Sequence, residues 1–254
     1  MILAVKWMGL DFGECLMDGT MRRSHLLIGD TSKELGEPEL VEQRCHKWRV
    51  AKERFGSLPT IVESHKAEVI NYVFDGHPRA VEMYLNVEQK YLALADGARE
   101  ALTYLKQQGI QLSIVTEMKK KVGPIETCSA MRFLRNQNVL EYFAELITPH
   151  GKLNIHDGSI DLRYQGTSKE AGTIYDVLVG DLAARGIEPS DAVMMGDKEW
   201  TDIGPAKKRG LKTILYTGYI CRGPSEADFV ISHFSELKSI VGFGNHRSRL
   251  RKRR

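Results

Sequence analysis

An apolar run from Leu3 to Leu10, broken only by Lys6, ends in Asp11-Phe12-Gly13. Its length and content read as a buried strand of a parallel sheet, covered on both faces. Such a strand requires helices packed on either side of it. It also delivers Asp11 to its carboxyl end, where open α/β sheets bind ligands. Alone, Asp11 is equally the turn residue at which a strand stops, so its meaning depends on what other strand ends bring beside it.

The chain then turns helical. Between Met21 and about Leu94, Val41, Cys45 and Trp48 share one helical face, and Ala80, Met83, Tyr84, Val87 and Tyr91 share another. Thr60 and Glu63 have capping-box spacing, and a helix from Ile61 to Phe74 ends at the turn signal Asp75-Gly76-His77-Pro78. No strand is expected here, and the segment reads as an all-helical insertion. After Asp96-Gly97, helices and strands alternate. Helices are predicted at Ala98–Gln108, Pro124–Asn136, Ala171–Arg185 and Thr201–Arg209, and strands at Ile110–Val115, Ala144–Ile147, Ala192–Met195, Thr213–Tyr216 and Phe229–Ile231. Leu153 to Leu162 alternates about Asp157-Gly158 as a β-hairpin. The fold class is therefore α/β, a Rossmann-like parallel sheet with right-handed crossovers and an inserted helical domain. The expected division is residues 1–19 and 95–242 for the core, 20–94 for the insertion and 243–254 for a basic tail.

Composition excludes several classes. At 254 residues the chain can bury a substantial core. No stretch has the length of a membrane span and the N-terminus lacks the signal-peptide pattern, so no membrane partner and a cytoplasmic location are expected. Cys15, Cys45, Cys128 and Cys221 are dispersed, against structural zinc or a disulfide framework. The net charge of +3 comes from six Arg and Lys among residues 247–254; the remainder is near −3. That acidic body argues against nucleic acid as a partner, and the tail reads as a short solvated segment.

Three later segments supply chemistry. The strand Ala192–Met195 runs into Gly196-Asp197, with Asp202 five residues beyond on the opening turn of the next helix. With Asp11 these carboxylates form a hard oxygen-rich set suited to Mg²⁺. Lys169 stands at a helix start, where Thr167 and Glu170 have capping-box spacing. A cation there opposes the helix dipole unless an anion lies between it and the helix amides. Thr116 ends its strand with a hydroxyl able to donate to a phosphate oxygen. Against these stand bland readings: a first-turn acid, a loop acid, a solvated lysine, a strand-end threonine. His150 and His156, beside the hairpin, lack partners at ligand spacing, and Trp200 serves packing or shapes a pocket.

A strand-end Asp, a strand-end Thr, a Lys before a helix and Gly-Asp-x-x-x-x-Asp after a strand, in that order, resemble the four motifs of the haloacid dehalogenase (HAD) superfamily. The resemblance runs from about Leu3 to Ile231. Asp96-Gly97-Ala98-Arg99-Glu100-Ala101 resembles the segment that re-enters the core, and the helical insertion resembles a C1-type cap that chooses the substrate. The resemblance implies a hydrolase, a Mg²⁺-dependent phosphatase for a small phosphorylated metabolite. In it Asp11 attacks phosphorus to form an aspartyl-phosphate. Thr116 and Lys169 hold the phosphoryl oxygens, and Asp11, the Gly13 carbonyl, Asp197 and Asp202 hold Mg²⁺. The chain departs from the family at Gly13, where its phosphatases usually carry a second Asp as general acid and base; Glu14 is a weak substitute. That departure leaves three alternatives: a phosphonatase-like hydrolase with a cap lysine, Lys47 or Lys52, forming a Schiff base; a dehalogenase-like hydrolase, which needs no metal; or a non-catalytic phosphate-binding protein. Asp197 and Asp202 argue against the dehalogenase.

Overall fold

The opening apolar run divides in two. In the computed structural model, which describes residues 3–19, 21, 23–56, 61, 65–117, 128–219 and 223–242, β1 (Leu3–Ala4) pairs in parallel with Val241–Gly242 in a separate two-stranded sheet. Only β2 (Trp7–Leu10), wholly buried, enters the main sheet. Between the two lies the exposed Lys6, whose ammonium sits 2.8 Å from the Asp191 carboxylate and whose amide donates to the Asp191 carbonyl.

The strands that follow are β3 (Met17–Asp18), β4 (Ala93–Leu94), β5 (Gln111–Val115), β6 (Phe143–Thr148), β7 (Gly151–Asn154), β8 (Ile160–Asp161), β9 (Ala192–Gly196), β10 (Lys212–Tyr216), β11 (Phe229–Ile231) and β12 (Val241–Gly242). Eight of them form one sheet in the order β11-β10-β9-β2-β5-β6-β7-β8. Pairings from β11 to β6 are parallel; β6-β7 and β7-β8 are antiparallel. The hairpin about Gly158 forms with Leu153 opposite Ile160. β7 additionally folds back on β6 through Pro149-His150, a turn too short to announce itself as a separate strand boundary in sequence. β3 pairs with β4, so the otherwise helical stretch ends in a two-residue strand.

The chain forms two compact units: Met1–Met17 with Leu94–Arg254, and Asp18–Ala93. In the smaller unit α1 (Ser24–Glu34), α2 (Val41–Phe55), α3 (Lys66–Val73) and α4 (Ala80–Gln89) bury a shared core that includes Leu27, Trp48, Ile70, Phe74, Tyr84 and Val87. The 3.6-residue spacing found that face. It did not find Arg44, buried beside it because its guanidinium donates to Ser32 Oγ at 3.0 Å, pairs with Glu37 and stacks on Phe74. Lys47 is paired with Asp75, and Lys52 is exposed. The capping pair Thr60 and Glu63 lies outside the described residues, as do the first turn of the helix predicted from Pro124, Cys221 and the basic tail.

In the larger unit α5 (Ala98–Gln107), α6 (Ser129–Asn136), α7 (Thr173–Ala184), α8 (Gly204–Lys207) and α9 (Leu237–Ile240) accompany the sheet. Ile174, Tyr175, Leu178 and Leu182 of α7 pack with Trp7, Val115 and Met194 from the three central strands. A polar thread crosses these layers: the Trp7 indole N–H donates to Ser113 Oγ at 3.0 Å, and that hydroxyl donates to Glu145 at 3.1 Å. The thread ties β2, β5 and β6 together at Ser113, where the β5–β6 register shifts after Leu112. Gly9 is required between them, because a Cβ there would overlap the Trp7 ring and press on Val115. Gly9→Ala should therefore destabilise the protein by about 1–3 kcal/mol through overpacking, read as a lower urea midpoint at unchanged slope.

Candidate active site

Strand order reverses at β2, with β5 on one side and β9 on the other, a topological switch point. Register brings their carboxyl ends level: Leu10 lies opposite both Ile114 and Met195. The ladder continues one residue further, with the Asp11 amide donating to Met195 O at 2.8 Å and the Thr116 amide to Ile147 O at 3.0 Å. Asp11, Thr116 and Asp197 thus stand at one edge of the sheet, all buried.

Lys169 and Asp202 join them from outside the sheet. The Lys169 ammonium donates to Asp11 Oδ1 at 2.6 Å and to the Val115 carbonyl at 3.1 Å, and forms an ion pair with Asp202 Oδ1. One ligand oxygen from each of Asp11, Asp197 and Asp202 falls within 4.8 Å of the others. Three buried carboxylates therefore face one buried ammonium. Burial pushes the Asp11 carboxyl up to about 7 against the pull of Lys169, and repulsion from Asp202 and Asp197 adds to the rise. Burial opposes the charge on Lys169, but Asp11 and Asp202 hold its ammonium well above the ordinary lysine range. The all-oxygen donor set and the concentration of negative charge fit a hard divalent cation, and the cluster can hold one.

The local reasons for this geometry differ from the sequence reading in two places. Lys169 does not open a helix. α7 begins at Thr173, after Gly172 at φ 77°, and the Thr167–Glu170 capping box is replaced by bonds from the Thr167 hydroxyl to Tyr164 O and from the Ser168 amide to Thr173 Oγ1. No helix dipole therefore acts on Lys169 as a first-turn residue. Asp202 lies not on an α-helical turn but in a π-turn, Glu199–Ile203, that precedes α8. Its Oδ2 accepts from the Lys198 amide at 3.0 Å and the Thr201 hydroxyl at 3.2 Å. Gly196 is explained here, since a Cβ at that position would overlap the Asp202 carboxylate.

Several participants carried no sequence signal. The Tyr175 hydroxyl donates to Thr201 O at 2.8 Å, joining α7 to the π-turn. Glu117, after Thr116, accepts at Oε1 from Ser168 Oγ and from the Lys169 amide, each at 3.0 Å. Lys198 bridges Asp197 at 3.4 Å and Glu14 at 4.0 Å. These are pairings of polar side chains set by the folded chain, invisible to periodicity. Burial and the acid cluster push the Cys15 thiol up, so it stays protonated beside the site. His150 and His156 stand outside the acid cluster. Trp200 is half-exposed and lines a surface cavity of about 680 Å³ with Glu170, Glu199 and Lys208. Beyond Gly13 there is open space, with nothing within 4 Å of where a Cβ would lie. No helix among the described residues is long and apolar enough to cross a membrane.

Comparison with known proteins adds kinship to this geometry. A glyceraldehyde 3-phosphate phosphatase of Pyrococcus furiosus is 26% identical over 163 residues, 62% of this chain and 58% of that protein, so the match spans somewhat more than half of the relative's length. Two solved structures share the fold. The HAD phosphatase of Thermococcus onnurineus is 20% identical with a TM-score of 0.55, over 92% of this chain and 97% of its own. The putative HAD-hydrolase YfnB of Bacillus subtilis, solved bound to magnesium, is 16% identical with a TM-score of 0.56, over 93% and 98%. Residues 11–210, spanning every site residue from Asp11 to Asp202, match the haloacid dehalogenase-like hydrolases, and the chain belongs to that family.

Proposed function

We propose that the chain is a Mg²⁺-dependent phosphatase acting on a small phosphorylated metabolite through an aspartyl-phosphate intermediate. The observation that carries this is the excess of buried carboxylate: Asp11, Asp197 and Asp202 lie around the buried ammonium of Lys169, with the partly exposed Lys198 beside Asp197. A metal-independent dehalogenase has no use for that excess. Similarity to a phosphatase of a phosphorylated triose supports a small phosphorylated substrate.

In this reading an Asp11 carboxylate oxygen bonds to phosphorus as the bond to the leaving oxygen breaks. Thr116 and Lys169 hold the phosphoryl oxygens, and Lys169 offsets the charge that grows on them in the transition state. Asp11, the Gly13 carbonyl, Asp197 and Asp202 would hold Mg²⁺, which when bound supplies the positive charge that keeps Asp11 ionised against an anionic substrate. The leaving oxygen takes its proton from water, because residue 13 has none to give. Water then attacks phosphorus and returns Asp11 to its free carboxylate. The helical unit, Asp18–Ala93, serves as the cap that selects the substrate. The ion pair with Asp75 engages Lys47, one of the two candidate Schiff-base lysines, which disfavours the phosphonatase alternative.

Three outcomes test this reading. Across a panel of phosphomonoesters and sugar 1-phosphates, phosphate release should require Mg²⁺, stop with EDTA and fall by about 10³-fold or more in Asp11→Asn; halide release that ignores EDTA would sink it. Gly13→Asp has room beside the site, and it should raise turnover of poor leaving groups by up to about 10²-fold by supplying the missing acid. Failure of a correctly folded variant to gain would mean that the chemistry never needed an acid there. The third outcome concerns pH. Asp11 binds its proton more tightly folded, at about 7, than unfolded, at 3.8, so the unfolded chain sheds it first as pH rises. In EDTA the protein should lose stability between about pH 4 and pH 7, Mg²⁺ should reverse the loss, and Asp11→Asn should flatten it. Melting curves with and without metal would show this.

A further inference from the structure

Glu117 is exposed, and its carboxylate could be satisfied by water. Instead a single oxygen, Oε1, accepts from both the Ser168 hydroxyl and the Lys169 backbone amide, each at 3.0 Å, across more than fifty residues of chain. The other end of Lys169 returns to the same strand end: its ammonium donates at 3.1 Å to the carbonyl of Val115, two residues before Glu117. Lys169 is thus attached to the end of β5 twice, by main chain through Glu117 and by side chain through Val115, with Thr116 between the two points. Lys169 itself sits in the non-helical stretch before α7. Ser168 bonds forward to Thr173, the first residue of α7, and Gly172 bonds back to the Lys169 carbonyl, while the Lys169 amide turns to Glu117.

We infer that Glu117 is a positioning residue for Lys169, a latch that fixes the Lys169 backbone over the end of β5 so that its ammonium stands between Asp11 and Asp202. A charged acceptor suits the task, since hydrogen bonds to a carboxylate are shorter and stronger than those to a neutral oxygen. The latch also explains why a long acid follows Thr116: the amide it must reach belongs to a loop above the sheet, beyond a shorter side chain. Its consequence for turnover rests on the phosphatase reading of Lys169, whereas the latch itself does not.

The test has two arms. Amide exchange at Lys169 reports the latch whatever the activity: Glu117→Ala should speed it by about tenfold through loss of the bond, and Glu117→Gln, which keeps an oxygen acceptor, should restore most of the protection. Unchanged exchange in Glu117→Ala would overturn the inference. In phosphate release, Glu117→Ala should lower kcat by about tenfold with KM within about threefold of wild type, and Glu117→Gln should recover most of kcat. A Gln variant that melts like wild type yet is as slow as Ala would also overturn positioning by hydrogen bonding. If wild type releases no phosphate at all, the phosphatase reading fails, and the exchange arm still decides the latch.

Discussion

The ammonium of Lys169 among the carboxylates of Asp11 and Asp202 is the contact on which the rest of the larger unit depends. Three acids and one base buried together are expensive to hold in a protein interior, where an unmatched charge is destabilising and even a matched pair gains little over apolar packing. The fold tolerates them because other groups take up what the ammonium leaves over. The Lys198 amide and Thr201 hydroxyl reach Asp202, the Val115 carbonyl accepts from Lys169, and Lys198 stands near Asp197. A cluster arranged this way is poised for a cation, and a carboxyl pushed up by burial, as Asp11 is, belongs to the kind of group concentrated at functional sites.

Precision at that contact is inherited from the sheet. The paired registers of β2 with β5 and of β2 with β9 set the height of Asp11 relative to Thr116 and Asp197. The Trp7-Ser113-Glu145 thread and the α7 core resist any slip, and a one-residue slip would turn Asp11 to the opposite face. Two glycines do complementary work here: Gly9 lets the Trp7 ring lie flat across its own strand, and Gly196 lets the Asp202 carboxylate approach the end of β9.

What was legible in sequence followed period and order. Buried strands announced themselves as apolar runs, the helical unit as a 3.6-residue repeat, and the four site segments by their sequence along the chain. What was not legible depended on partners distant in sequence. The first run splits where β1 leaves to pair with β12; the left-handed Gly172 delayed the start of α7 past Lys169; the π-turn around Asp202 and the burial of Arg44 each follow from side-chain bonds that no local pattern encodes. Glu117 illustrates the limit well, because an exposed glutamate after a strand carries no mark of the amide it will meet fifty residues later.

The two margins of the main sheet carry a consequence of their own. β11 and β8, which end it, are three and two residues long, so a foreign extended segment would find almost no row of free amides and carbonyls to copy. Arg163 and Asp161 add a charged clasp beside β8, next to the exposed Ile160 and Leu162. An eight-stranded parallel-rich sheet is slow to assemble and invites mispairing while it does so. Truncated, charged margins of this kind let such a sheet persist at high concentration without templating aggregation.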